Sequence, residues 1–138
     1  MLVYRLVREK YGASLSGKGA ALRGARWNSA GVEMIYTAAN RSLAMAEVAV
    51  HLTLATLPSD YLMMAISIPD HHGIAEISAD ELPQNWNAFP HPLSTQRIGD
   101  RFAAEAEHAV LRAPSVVTSG DFNCLINPKH PEYGRRAG

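Results

Sequence analysis

The sequence predicts an α+β domain in which a mixed, mainly antiparallel sheet carries two principal helices. Short β-rich segments occur near both ends of the chain, and two longer segments have helical periodicity. Strands and helices do not alternate regularly, as they would in a parallel βαβ fold. The chain has 138 residues, 47% of them hydrophobic, which is the usual size of one domain with its own core. We therefore expect a single domain over residues 1–138.

Strands are predicted where apolar side chains alternate or form short runs between turn residues. These segments are Leu2–Val7, Val32–Ala38, Tyr61–Ile68, Ile74–Ile77, Val110–Arg112, Ser115–Thr118 and Phe122–Ile126. The nearly unbroken apolar run Tyr61–Ile68 is typical of a strand buried on both faces, so we expect it at the centre of the sheet. The glycine-rich segment from Glu9 to Gly31 has no periodicity and is predicted to be a long loop.

Two helices complete the predicted domain. Asn40 is expected to cap a helix from about Ser42 to Leu54. Ser94 is expected to cap a second helix that extends to about His108, with apolar side chains every fourth residue on its buried face. The charged side chains of this second helix are expected mostly to face water: Asp100, Arg101, Glu105 and Glu107.

The composition argues against several classes of protein. Thirteen basic and thirteen acidic side chains give a formal net charge of zero, so no long-range field favours nucleic acid or anionic lipid. No apolar stretch reaches the roughly 18 residues of a membrane span, and we expect a cytoplasmic protein. The single Cys124 resembles a small buried hydrophobe. The six histidines lack zinc-ligand spacing, so no metal site is predicted.

Two charged residues stand out from their surroundings. Arg26 lies among small residues in GARWN, where its planar guanidinium can present donors to a phosphate or carboxylate. The alternative is an exposed arginine in a loop that Trp27 anchors. Glu47 lies in a nearly continuous apolar stretch, where a buried carboxylate needs a cation or several donors. Arg26 is a candidate partner, and the alternative is a Glu47–His51 pair at the solvent edge of the helix.

The order of these residues resembles the RES domain family, which is named for its Arg, Glu and Ser. The resemblance spans nearly the whole chain and ends in an Asn-Pro-x-His-Pro signature. It is carried by Arg26 in GARWNSAG, Tyr36 in VEMIYTA, Glu47 in SLAMAEVAVHL, Ser115 in APSVV and Asn123 in DFNCLINPKHP.

The resemblance implies the toxin of a bacterial toxin–antitoxin pair, with an Xre-like helix-turn-helix antitoxin as partner and a fold similar to ADP-ribosyltransferase toxins. It implies an enzyme that uses NAD as substrate, without a metal. We expect cleavage of the nicotinamide–ribose bond with water or phosphate as acceptor, and a homodimer. One alternative is a mono-ADP-ribosyltransferase that modifies a cellular protein. Another is a non-catalytic nucleotide-binding or interaction module in which Arg26 and Glu47 form a structural ion pair.

The resemblance also suggests a role for each site residue. Glu47 would stabilise positive charge at the anomeric carbon. Arg26 would bind the pyrophosphate through both arms of its guanidinium, and Tyr36 would stack on nicotinamide or donate its hydroxyl. Further contacts with NAD are assigned to Ser115, Asn123 and His51.

Overall fold

The computed structural model of the protein describes residues 1–8, 15–49, 60–69 and 73–131. Within these ranges the strands form one six-stranded sheet in the order β3-β1-β2-β6-β5-β4. All neighbouring strands are antiparallel except β4 and β5, which are parallel. The elements are β1 (Leu2–Arg8), α1 (Lys18–Arg23), β2 (Ile35–Ala38), α2 (Arg41–Ala49), β3 (Tyr61–Ser67), β4 (Ile74–Glu76), a 3₁₀ turn (Ala79–Glu81), α3 (Leu93–Glu105), β5 (Val110–Pro114) and β6 (Phe122–Ile126). The predicted α+β class with two main helices is confirmed.

The strand β3 is at the edge of the sheet, so its predicted central position is wrong. It pairs with β1 from Leu2 opposite Ser67 to Arg8 opposite Tyr61, and its only strand neighbour in the described ranges is β1. Every second or third side chain is exposed, with Leu62 at 41%. Apolar content alone does not distinguish a strand covered on both faces from an edge strand that leaves aliphatic side chains in water.

The predicted loop from Glu9 to Gly31, the strand that follows it and the predicted strand Ser115–Thr118 also differ from expectation. Residues 18–23 of the glycine-rich segment form α1, and the strand predicted from Val32 begins only at Ile35. Residues 115–118 form a turn instead of a strand. The Oγ of Ser115 accepts hydrogen bonds from the backbone N–H groups of Val117 (3.0 Å) and Thr118 (3.2 Å). These local bonds replace the ladder bonds that a strand would make.

The start of α2 follows the prediction, whereas the start of α3 does not. The Oδ1 of Asn40 accepts the N–H of Leu43 at 2.8 Å, which is the expected N-cap bond of α2. The predicted extension of this helix to Leu54 lies outside the described residues. The cap of α3 is Pro92 in an extended conformation, so the helix begins before Ser94. The Oγ of Ser94 is buried without a partner in the described structure, and its predicted capping role is wrong.

The buried core lies between the sheet and the helices. Ile98 and Phe102 of α3 pack against a cluster that contains Trp27, Leu111 and Leu125, as the helical spacing predicted. Other buried apolar side chains include Val3, Ile35, Ile68 and Cys124, and Cys124 is 1% exposed. None of the helices in the described ranges has the length and apolar character needed to cross a membrane.

Candidate active site

One cleft brings together four of the six predicted site residues: Arg26, Tyr36, Glu47 and Asn123. Its volume is about 400 Å³, and it lies between the 24–27 loop, the first helix after β2, and the segment before α3. Ser115 is not among the described residues that line the cleft, although its neighbours Val116 and Val117 are. His51 lies outside the described residues.

The carboxylate of Glu47 projects from α2 into a half-buried position. Its Oε2 accepts a hydrogen bond from Asn123 Nδ2 at 2.7 Å, while Oε1 has no hydrogen-bond partner within the described ranges. Burial raises the pKa of Glu47, and the negative charge of Asp121 raises it further. The hydrogen bond from Asn123 opposes this shift because it favours the ionised form. Asn123 also donates to the carbonyl of Thr37 at 3.1 Å, which sets the orientation of its amide.

Arg26 does not pair with Glu47, so the structural ion pair considered from the sequence is wrong. Its Nη1 donates to the carbonyl of Trp86 at 2.8 Å and its Nη2 to the carbonyl of Ala88 at 3.0 Å. The guanidinium also lies over the ring of Phe89, 4.7 Å from its centroid. Burial lowers the pKa of Arg26. The cation and the carboxylate therefore line one cleft while each is held by a different neutral partner.

The helix α3 holds the loop that carries Arg26. The carboxylate of Asp100 accepts from the N–H of Ser29 at 2.8 Å and from its hydroxyl at 2.5 Å. Gln96 donates from Nε2 to the carbonyls of Ala25 and Asn28, both at 3.1 Å. Asp100 is predicted among charged side chains that mostly face water, but both of its carboxylate oxygens bind this loop. Helical spacing shows which face a side chain lies on, but not that a distant loop covers that face.

Tyr36 joins the same loop to β2. Its hydroxyl accepts the backbone N–H of Trp27 at 2.9 Å and donates to Oδ1 of Asn28 at 2.6 Å. Burial raises the pKa of this phenol well above its ordinary value. Asn28 is fully buried, and its Nδ2 contacts the carbonyls of Ala20, Ser29 and Val32. The hydroxyl proton of Tyr36 is thus committed within the protein, which leaves its ring for contact with a ligand.

Ser115 stabilises the turn whose residues Val116 and Val117 line the cleft. Its Oγ closes the 115–118 turn, and its N–H donates to the carbonyl of Asp121 at 2.9 Å. Both carboxylate oxygens of Asp121 accept from Nδ2 of Asn40, at 3.1 and 3.0 Å. The turn that presents Val116 and Val117 to the cleft is therefore tied to the start of α2, the helix that carries Glu47.

Sequence reasoning missed several residues at the site. Phe89 and His91 line the cleft, and both lie in the proline-rich segment 83–92, for which no site residue is predicted. A second pocket of about 370 Å³ includes Arg5 and shares Tyr36 and Glu47 with the first. These two residues therefore lie between two pockets. Two features of the sequence could have identified these site residues. One is Arg5 in the alternating pattern of β1, and the other is the aromatic Phe89 between Pro83 and Pro90.

The fold and the ordered site residues define a RES domain protein. Residues 2–137 match the family model described as "RES domain", and the chain belongs to this family, as its motifs predicted. It is 38% identical to a "Prs ADP-ribosylating toxin" of Sphingobium sp. (strain YBL2), over 86% of this chain and 74% of that protein. It is 34% identical to a "Toxin Res" of Yersinia enterocolitica, over 96% and 88% of the two chains.

Further comparisons agree with this family. A "Toxin Res" of Photorhabdus laumondii is 36% identical over 96% of this chain and 85% of that protein. The structure is similar to a chain in the crystal structure of the M. tuberculosis MbcT-MbcA toxin-antitoxin complex. The TM-score is 0.75 at 18% sequence identity, with 96% of this chain and 78% of that chain covered. At this identity the similarity supports the fold.

Proposed function

We propose that this RES domain protein is a toxin that cleaves the nicotinamide–ribose bond of NAD. One observation carries the proposal. A half-buried carboxylate and a separately anchored guanidinium line the same cleft of about 400 Å³. The guanidinium complements the anionic pyrophosphate of NAD. The carboxylate complements the ribose carbon that becomes positive during the reaction.

The reaction needs little acid–base chemistry. The ring nitrogen of nicotinamide is cationic in NAD, so it keeps the bonding electron pair when the bond to the ribose breaks, and nicotinamide leaves as a neutral molecule. The anomeric carbon becomes oxocarbenium-like and forms a new bond to the oxygen of an acceptor, whose proton passes to solvent. One carboxylate beside the carbon is sufficient, which agrees with the single acidic side chain among the described residues that line the cleft.

Each site residue has a place in this proposal. Glu47 stabilises the positive ribose through Oε1, while Asn123 holds Oε2 and favours the ionised form of the carboxylate. Arg26 binds the pyrophosphate with the donors that its two carbonyl partners leave available. The ring of Tyr36 contacts the nicotinamide end. Ser115 acts at one remove, by holding the turn that lines the cleft.

The acceptor separates two candidate functions. Water or phosphate would make the protein an NAD-degrading enzyme, and a protein acceptor would make it a mono-ADP-ribosyltransferase. Transfer to a protein is supported by the 38% identity to the relative named "Prs ADP-ribosylating toxin". Both functions use the same bond cleavage, so the same residues serve either one.

We also propose an antitoxin as the protein's partner. Support comes from the family and from the shared fold with a chain of the MbcT-MbcA toxin-antitoxin complex. The Xre-like nature of this antitoxin, the homodimer and the cytoplasmic location remain predictions from the family resemblance.

The proposal is tested with purified protein and NAD, with and without inorganic phosphate, and the products are identified by mass. Glu47→Gln is the test variant because the amide keeps an acceptor for Asn123 but has no negative charge. Glu105→Gln is the matched control, since Glu105 is an exposed carboxylate at the end of α3. We expect Glu47→Gln to lose at least about a hundredfold in kcat, as when one preorganised electrostatic contact is removed.

A second reaction with labelled NAD and a cell lysate identifies the acceptor. Label on a discrete protein band indicates transfer, whereas free ADP-ribose or its phosphate ester indicates degradation. The proposed chemistry is wrong if wild-type protein consumes no NAD in either reaction, or if folded Glu47→Gln consumes it at the wild-type rate. Because burial raises the pKa of Glu47, the ionised side chain lowers stability at neutral pH, and the glutamine variant is expected to fold.

A further inference from the structure

The ring of Phe89 is unusually exposed for a side chain at the rim of an apolar cleft. It is 67% exposed, yet it belongs to the lining of the same cleft as Arg26 and Glu47. An exposed aromatic ring beside a pocket costs hydration free energy in the unliganded protein. Neither the core packing nor the roles assigned above account for this residue.

The side chains of Phe89 and Arg26 contact each other directly. The guanidinium lies over one face of the ring at 4.7 Å, and its two arms are held by carbonyls of the same short segment, those of Trp86 and Ala88. The ring therefore has a defined position relative to the cation. With one face under the guanidinium and two thirds of the side chain exposed, the rest of the ring is open to solvent.

We infer that Phe89 is the stacking surface for the adenine base of the dinucleotide. This inference rests on the proposed function and assigns the part of the substrate that the catalytic residues leave unassigned. If Arg26 binds the pyrophosphate, the nicotinamide half and the adenosine half of NAD are joined to the two ends of the bound group. The nicotinamide half extends to the half-buried Glu47, and the adenosine half extends to the exposed rim where Phe89 lies.

The chemistry of the rim suits a nucleobase. Every base presents a flat π-face to an aromatic ring, and removal of such a ring weakens binding by a factor of about 5 to 150 per stacked base. A cation on the far face of the ring does not prevent stacking on the near face. The rim provides this contact without burying the base, which agrees with the open position of Phe89.

Binding of two ligands to the purified protein tests the inference. ADP-ribose contains adenine and pyrophosphate, whereas nicotinamide mononucleotide contains the nicotinamide end and one phosphate but no adenine. We expect Phe89→Ala to raise the Kd of ADP-ribose about 5- to 150-fold in calorimetry. The Kd of nicotinamide mononucleotide is expected to change less than about twofold, because Arg26 keeps its backbone partners.

Two further variants separate stacking from simple apolar contact. Phe89→Trp is expected to restore wild-type affinity for ADP-ribose, while Phe89→Leu is not, since leucine has no π-face. An unchanged Kd for ADP-ribose in Phe89→Ala overturns the inference. So does an equal loss for both ligands, which would mean that Phe89 acts through Arg26 or contacts nicotinamide.

ADP-ribose lacks the nicotinamide–ribose bond, so its binding requires no turnover and is measured independently of the proposed cleavage. If wild-type protein consumes NAD and Phe89→Ala binds ADP-ribose normally, only the stacking role is overturned. If the wild-type protein consumes no NAD but the Phe89→Ala variant binds ADP-ribose more weakly than wild type, the stacking site stands and the proposed cleavage does not.

Discussion

Gly99 of α3 allows the helix to approach the backbone of the Arg26 loop, and a single methyl group there should disrupt both stability and the site. A Cβ at this position would lie 1.6 Å from the carbonyl oxygen of Trp27 and 2.6 Å from its carbonyl carbon. Real Cβ atoms essentially never come closer than 3.0 Å to another atom, so Gly99→Ala must push the helix and the loop apart by at least about 1.4 Å. Both contacted atoms are backbone, and no side-chain rotation relieves the clash.

The expected cost follows from what holds the two elements together. Asp100 and Gln96 of α3 bind the loop through hydrogen bonds of 2.5 to 3.1 Å. Lengthening these bonds by more than 1 Å takes them beyond hydrogen-bond range. Bonds to a charged group contribute about 1.5 to 3 kcal/mol each, and overpacking costs about 1 to 3 kcal/mol. We expect a loss of about 3 to 5 kcal/mol of unfolding free energy, out of the roughly 5 to 15 kcal/mol of a typical domain.

Thermal unfolding measures this loss directly. At about 3 °C per kcal/mol for a chain of this size, Gly99→Ala should lower Tm by about 9 to 15 °C. Gly19→Ala is the matched control, because Gly19 lies in α1 and a Cβ there meets nothing within 4 Å. Its Tm should stay level or rise, since alanine favours a helix by about 0.5 to 1 kcal/mol over glycine. A Tm of Gly99→Ala within 2 °C of wild type, at about 3 °C per kcal/mol, would refute the close-approach argument.

Two more variants test the hydrogen bonds of the site. Asn123→Leu removes the donor to Glu47, so the pKa of that carboxylate should rise further. The acid limb of the profile of kcat/KM against pH should then move to higher pH. If the acid limb does not move, it reports the titration of another group. Tyr36→Phe keeps the ring but leaves the Oδ1 of Asn28 without its donor and the N–H of Trp27 without its acceptor. It should cost about 1 to 3 kcal/mol of stability and leave the KM for NAD within about twofold. The reverse pattern would mean that the hydroxyl contacts the substrate.

Local sequence patterns predicted the parts of the fold that depend on neighbouring residues. Alternation identified β1, and a polar residue before an apolar stretch identified the Asn40 cap of α2. The helical spacing of Ile98 and Phe102 identified the buried face of α3. The ordered motifs identified the family, and with it four residues that share the cleft.

Two of the errors have a common physical cause, which is that each depends on a partner far away in sequence. The apolar strand β3 is at an edge because its position depends on which strands pair. The error at Ser94 is local, because the chain enters α3 two residues earlier, with Pro92 as the cap. Asp100 binds a loop 71 residues away. Periodicity describes a face of an element, but it contains no information about what covers that face.

The sequence by itself determined the class of fold, the family and the charged residues of the site, because these follow from local periodicity and ordered motifs. Only the tertiary structure decided that Glu47 pairs with Asn123, 76 residues away, and that Arg26 is held by the carbonyls of Trp86 and Ala88. Both partners are neutral groups that no charge pattern distinguishes from their neighbours. Complementary charges suggest an ion pair in a sequence, but in the folded chain the geometry of the backbone keeps the two charges apart and leaves both at the cleft.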